Sequence, residues 1–408
     1  MDLTHRSRTA TREAHAGWWS MSRAEARRSP AWVLCLLACT VAWAACLAET
    51  AGAQGAAPAQ LSTAQRYYLG LAEAGVAAAE QHWRDRRLHW YDSRLHDRAR
   101  YPLATIWDIA PLFESLDAIA IASPTAAHRQ AVTSFATGAE RYLNRGLRPV
   151  PGYSPYPGDR EAATETWFDD NGWWGLAFLE AYRATGSRRW LADAQRAISY
   201  VAAAGWDSRG GGIWWNTHHP YKAGAALAAD TLLATLLYQQ TGSASDLAQA
   251  RRFLSWANSD GYSSSSGLYV DSNLDADPVD YIEGPLIYAQ ATLCRLQPDP
   301  AECALAQRLK ATALKRFGQR LDFSPQYDAI YLQWMLALYG SEGDAALYRM
   351  AALNAADAQA RASDGEGLYL RSWGGETLPA QDAAPGMLQT QAATTSLFAW
   401  LAVYSPPG

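Results

Sequence analysis

From residue 62 onward, apolar positions recur at three- and four-residue spacing almost without a break, and strict polar/apolar alternation is rare. That periodicity predicts helices and little sheet. About twelve helices follow, over 62–85, 104–121, 124–145, 170–185, 188–204, 222–240, 244–258, 281–297, 300–320, 326–339, 343–361 and 388–403. The even-numbered ones are the more apolar: 174–182, 225–238 and 392–404 have little polar face, whereas 188–204 and 303–320 carry Arg, Lys and Gln along one side. A helix apolar all round is a buried helix, and a striped one lies against a core with its other face in water. Link length alternates too. Long links (86–103, 146–169, 205–221, 259–280, 362–387) follow odd helices, and short ones, marked by Thr185-Gly186-Ser187, Thr241-Gly242-Ser243 and Gly340-Ser341-Glu342-Gly343, follow even helices. Only 321–325 breaks the rule by being brief. In a stack of antiparallel helix pairs this alternation gathers the long loops at one end. The expected fold is therefore all-α, an (α/α)6 barrel or six-hairpin toroid with the even helices inside, an open solenoid being the alternative.

Upstream of this pattern, Ala31 to Ala48 is an uncharged apolar run preceded by Arg23, Arg27 and Arg28, and Ala51-Gly52-Ala53 offers a small-residue cleavage site. Residues 1–53 read as an export signal, with translation starting at Met1 or Met21, and 54–408 as one domain in the periplasm or secreted. An uncleaved anchor or a lipoprotein box at Cys39 or Cys46 is the alternative. Cysteine usage fits export: Cys35, Cys39 and Cys46 fall in the signal, and Cys294 and Cys303 suit a disulfide across a tight turn, a pair of buried thiols being the other reading. A net charge of −5 without a basic run leaves no electrostatic footprint for nucleic acid. A cleaved, water-soluble monomer without a lasting membrane partner is expected. Against 8 Phe stand 18 Trp and 21 Tyr, an aromatic set rich in rings with a polar edge, of the kind that stacks on sugars as well as filling cores.

The toroid would bring the starts of the inner helices to one mouth, and polar residues cluster there: Asp108, Asp169 and Asp170, Tyr221 and Lys222, Tyr281 and Glu283, Gln326 and Asp328, Gln389 and Gln391. Helix N-termini favour oriented carboxylates. Asp169-Asp170 stands between Trp167 and Trp173-Trp174; Asp170 is a helix cap on the plain reading. On the functional one, repulsion and desolvation raise one pKa so that one carboxyl is an acid while its neighbour stays ionised, the minimum equipment for glycoside hydrolysis. Trp107, Trp167, Trp173, Trp214, Trp215 and Trp373 are the candidate sugar platforms, with Trp174, Trp334 and Trp400 assigned to the core. His218-His219 has no third metal ligand in sight, and no Gly-x-Ser-x-Gly elbow occurs, so neither a metal, a cofactor nor a serine nucleophile is expected.

The run Trp167-Phe168-Asp169-Asp170-Asn171-Gly172-Trp173-Trp174, then Ala177-Phe178-Leu179-Glu180-Ala181-Tyr182, Gly210-Gly211-Gly212-Ile213-Trp214-Trp215-Asn216 and Tyr221-Lys222, resembles glycoside hydrolase family 76, the endo-α-1,6-mannanases, over roughly residues 65–403. The resemblance implies an (α/α)6 fold and retaining double displacement without metal, with Asp169 as nucleophile, Asp170 as acid/base and a polysaccharide or oligosaccharide as substrate. Asn171, within the motif, joins the expected binding set. The chain departs from the pattern at Ala223-Gly224-Ala225-Ala226, at Tyr281-Ile282-Glu283-Gly284, where a carboxylate replaces an amide, and at Gln326-Tyr327-Asp328-Ala329. Glu283 and Asp328 are thus expected either to bond sugar hydroxyls or to pair with a cation such as Lys222, and Asp108 either to reach the pocket or to serve its helix start. An inverting hydrolase, a transglycosidase and a non-catalytic glycan-capture protein are the competing readings.

Overall fold

The computed structural model describes residues 60–96, 102–365, 367–378 and 386–408. The expected export segment lies outside the described residues. Among them are twelve α-helices: α1 (Thr63–His82), α2 (Ile106–Ala122), α3 (Ala126–Ala139), α4 (Phe168–Thr185), α5 (Arg188–Tyr200), α6 (Gly224–Thr241), α7 (Ala244–Ser259), α8 (Asp280–Leu296), α9 (Pro300–Phe317), α10 (Pro325–Glu342), α11 (Ala345–Asp357) and α12 (Leu388–Val403). The even helices pack side by side in order, and α12 returns to α2, so the ring is closed. Each odd helix lies outside, against its even neighbours. This is the (α/α)6 toroid, and the solenoid alternative falls.

Burial explains the two layers. Every residue of α12 from Leu388 to Ala402 is buried, as is every residue of α6 from Gly224 to Leu237, while α5 buries a stripe of Trp190, Asp193, Ala194, Ala197 and Ile198. Short turns leave α4, α6 and α10 through Gly186, Gly242 and Gly343, all at positive φ (74°, 68° and 75°), the left-handed cap that glycine adopts without strain. At Gly172 a Cβ would lie 2.5 Å from the Ala229 side chain, so glycine is what lets α4 close on α6.

Helix ends differ from expectation where the long loops begin. The first and third helices stop at His82 and Ala139 because two-residue strands follow: β1 (Arg84–Asp85) pairs with β2 (Trp90–Tyr91), and β3 (Leu143–Asn144) with β4 (Gly152–Tyr153). A third hairpin joins β5 (Tyr262–Ser263) to β6 (Leu268–Tyr269). Cys294 and Cys303 form a disulfide, with Cα atoms 5.1 Å apart, tying the end of α8 to the start of α9. Among the described residues no helix is long and apolar enough to cross a membrane.

Candidate active site

Helix α4 starts the site. Its N-cap position belongs to Trp167, in extended conformation (φ −91°, ψ 137°), so Asp170 is not the cap. The entry is pinned instead by neighbours. Phe168 N–H donates to the Trp215 carbonyl (2.9 Å), and Asn171 Nδ2 donates to the carbonyls of Trp167 (2.9 Å) and Tyr153 (2.9 Å) while its Oδ1 accepts from Tyr153 N–H (2.8 Å). That clamp holds the Asp169-Asp170 pair at the first turn of an inner helix, where free backbone N–H groups and the dipole favour negative charge.

Both carboxyls open into a cavity of about 330 Å³ at the loop end of the barrel. Its lining comes from the starts of five inner helices and the loops before them: Thr105 and Trp107, Pro155 and Tyr156, Trp167, Trp215 and Tyr221 with Ala223 and Ala225, Asp271 and Tyr281, and Tyr327. Two aromatic walls result. On one side Trp167 meets Trp215 edge-on (centroids 6.2 Å apart) and Trp215 stacks on Tyr221 (5.1 Å, 17°). On the other, Tyr327 packs against Trp107 (5.8 Å) and Tyr281 (4.7 Å). A larger groove, about 660 Å³, lies on the outer wall between α1 and α3 and takes in neither catalytic candidate.

The two carboxyls are not equivalent. Burial lifts Asp169 to about 7, against the pull of the backbone N–H groups of Asp170 and Asp169 and of the Trp215 side chain, which stabilise its anion. Asp170 is held well above the usual range by burial first, then by the negative charges of Asp169 and Asp108. Both carboxyls are thus held above the usual range, and the hydrogen bonds to the Asp169 anion favour ionisation on that side of the pair.

Seven of the expected residues line this cavity: Trp107, Trp167, Asp169, Asp170, Trp215, Tyr221 and Tyr281. The other eight do not line it, and the structure gives each of them other surroundings. Asp108 is the third helical residue of α2 in a capping box with Thr105 and also accepts from Ser93 (2.7 Å), so it serves its helix start. Asn171 is fully buried in the clamp just described. Trp173 is packed in the core, and Trp373 is buried with its indole N–H donating to Thr394 (3.0 Å). Glu283 is buried and accepts from Tyr269 N–H (2.7 Å), anchoring the third hairpin, and Asp328 is buried facing Asp280 of α8, whose charge adds to burial in raising it. Lys222 pairs with Asp207 (3.0 Å), not with Glu283 or Asp328, and lies over the rings of Trp214 (5.4 Å) and Trp256 (5.6 Å). Trp214 stacks on His219 (5.1 Å, 11°), away from the cavity. Sequence reasoning missed Tyr156, Asp271 and Tyr327. Tyr327 stands between Gln326 and Asp328 at an inner-helix start, and no pattern in the sequence says which of the three faces the cavity.

A family model described as glycosyl hydrolase family 76 matches residues 75–294, more than half of the 408-residue chain. No curated protein matches by sequence. Among solved structures, a family 76 mannosidase from Bacteroides thetaiotaomicron superposes with a TM-score of 0.72 at 17% identity, covering 83% of this chain and 98% of that one. An inactive variant of an α-1,6-mannanase from a Salegentibacter species, in complex with α-1,6-mannotetrose, superposes with a TM-score of 0.68 at 16% identity, covering 82% and 98%. A cellobiose 2-epimerase from Spirochaeta thermophila also matches, with a TM-score of 0.57 at 14% identity over 83% and 98%, so the toroid alone does not specify a reaction. The sequence match over the half of the chain that carries the carboxylate pair does: the chain belongs to glycosyl hydrolase family 76.

Proposed function

We propose that the protein is a retaining, endo-acting hydrolase of α-1,6-mannan or a related α-linked glycan, with Asp169 as nucleophile and Asp170 as acid/base. The observation that carries the reading is geometric: two neighbouring carboxyls in the first turn of α4 open into one cavity between two aromatic walls, with hydrogen bonds favouring the anion on the Asp169 side. In the first step the Asp169 carboxylate attacks the anomeric carbon and Asp170 gives its proton to the departing glycosidic oxygen. In the second, Asp170 takes a proton from water, which displaces Asp169 from the glycosyl ester. Trp167, Trp215 and Tyr221 on one wall, and Trp107, Tyr281 and Tyr327 on the other, offer ring faces and polar edges to the sugars, and Asp271 offers a third carboxylate to their hydroxyls.

Product analysis with α-1,6-mannan tests this, with proton NMR following the first anomer released. Manno-oligosaccharides appearing first as the α-anomer support the reading. The β-anomer first would point to inversion, and binding without release to glycan capture. We also infer that residues 1–53 direct export and that the mature monomer starts near Gln54; N-terminal sequencing of the exported protein and its elution volume check both.

A further inference from the structure

The links that lead into the inner helices are not equally long. Residues 83–105, 140–167, 260–279 and 363–387 lead into α2, α4, α8 and α12, but 318–324 alone lead into α10. The α9–α10 link therefore has the least chain from which to raise a rim. A cavity of about 330 Å³ is at the small end of ligand sites and cannot enclose a polymer, so a glycan bound across the carboxylates has to leave over a low part of the rim.

Phe323 stands on that short link. Its ring is 51% exposed, one of the large apolar side chains left in water. A single exposed apolar residue is ordinary, but the orientation of this one is not random. It stacks on Tyr327 (centroids 5.0 Å apart, 22° between planes), and Tyr327 itself lines the cavity beside Tyr281 and Trp107. A ribbon of rings thus runs from the inner wall of the cavity across the short link to solvent. The neighbouring Asp322 accepts from Gly374 N–H (3.0 Å), which ties the link to the loop before α12. The exposed face of such a ring suits the C–H groups of a hexose.

We propose that Phe323 is the platform of an outer sugar subsite beyond the catalytic cavity, and that the glycan chain crosses the rim over the α9–α10 link. The inference rests on the glycan-hydrolase reading and adds the direction of the chain and the residue that makes affinity depend on its length. A hexose stacked there covers an otherwise wetted phenyl face, while the ring needs no rearrangement to receive it because Tyr327 already holds it.

The test is calorimetric titration of α-1,6-manno-oligosaccharides, from two units to six, into the protein carrying Asp169→Asn and Asp170→Asn, with and without Phe323→Ala. The alanine variant is expected to bind the longer oligosaccharides roughly 3- to 10-fold more weakly, the range one ring stack supplies, and the disaccharide unchanged. Phe323→Trp restores the dependence on length. Unchanged affinity at every length in the alanine variant overturns the platform and leaves the hydrolase reading standing. An equal loss for the disaccharide also overturns it, since Phe323 would then act through the cavity. If the Phe323 parent binds no α-1,6-linked oligosaccharide, the mannan reading fails and the platform with it.

Discussion

Two of the groups of buried carboxyls within this barrel can be set side by side, and of these only one has the setting of an active site. At the loop end are Asp169 and Asp170. Deeper along the same helices are Glu114 and Asp117 of α2 and Glu180 of α4, every one of them buried. Desolvation raises Glu114 to about 8 and Asp117 well above the usual range, each further lifted by the charge of Glu180, so a perturbed pKa does not distinguish the groups. Position does. Asp169 and Asp170 sit in the first turn of α4, where the helix itself stabilises an anion, and open to a cavity. Glu180 lies toward the other end of α4, where the dipole opposes it, and accepts both of its 2.7 Å bonds from Arg183. With the Gln333 amide turned to suit both neighbours, it donates to Glu114 (3.2 Å) and accepts from Trp400 (3.3 Å). The deep group is closed over by side chains. Burial makes a carboxyl an acid, and access together with an inequivalent partner makes it a catalyst.

The largest effect that sharpens this contrast is on turnover. Asp170→Asn removes the group that protonates the leaving oxygen and is expected to lower kcat by about 10³-fold, within the range for general acid–base catalysis, with oligosaccharide affinity retained. Asp169→Asn stops the first step altogether. In the parent, kcat/KM falls as pH drops through about 7, because the Asp169 carboxylate is lost. An acid limb near pH 4 would mean that burial does not govern the pair.

The deep group should answer to stability instead. Glu114 moves from 4.5 to about 8 on folding, so the folded protein holds this proton more tightly than the unfolded chain. Its contribution is full below about pH 4.5 and is lost as pH rises through 8, on the order of 5 kcal/mol over that span. Thermal melts of the parent should decline from pH 5 to 8, and Glu114→Gln should flatten part of that decline while kcat stays within about two-fold. A tenfold loss of kcat would join the two groups into one machine. Smaller again is the effect of one cavity wall: Trp215→Ala, which removes the ring stacked on Tyr221, should raise KM by about tenfold. Since Trp215 also stabilises the Asp169 anion, its acid limb should move upward in pH.

The barrel was legible because its two layers differ in composition and its loops in length, both of which are patterns along the chain. The hairpins were not: strands of two residues, such as Arg84–Asp85 and Trp90–Tyr91, are too short to show alternation. Within the site, what could be read was which residues begin an inner helix, and that found Trp107, Asp169, Asp170, Tyr221 and Tyr281. What could not be read was which way a side chain leaves the backbone. Trp173 and Trp373 turned inward, and Asp328 faced the core while Tyr327 faced the cavity. Asp271 lay in a loop with Asp275 and Asp277, where no period ranks one acid above the others.

Lys222 is the sharpest instance, since it directly follows a residue that lines the cavity. Tyr221 stacks on Trp215 at the wall, but the next side chain leaves on the opposite face of an extended segment bridged to Trp214. There it meets Asp207 and the rings of Trp214 and Trp256, and its stem fills the space left by Gly212, where a Cβ would come within 2.8 Å of it. The positive charge is thus engaged on the outer side of the loop that carries Trp215. Lys222→Met keeps the stem and deletes the charge, so it is expected to leave KM and the product pattern within about two-fold of the parent, a difference below 0.5 kcal/mol. A tenfold rise in KM with kcat unchanged would instead mean that this loop turns over when substrate binds and brings the ammonium to the sugar. The wall formed by Trp215 and Tyr221 would then be a moving part.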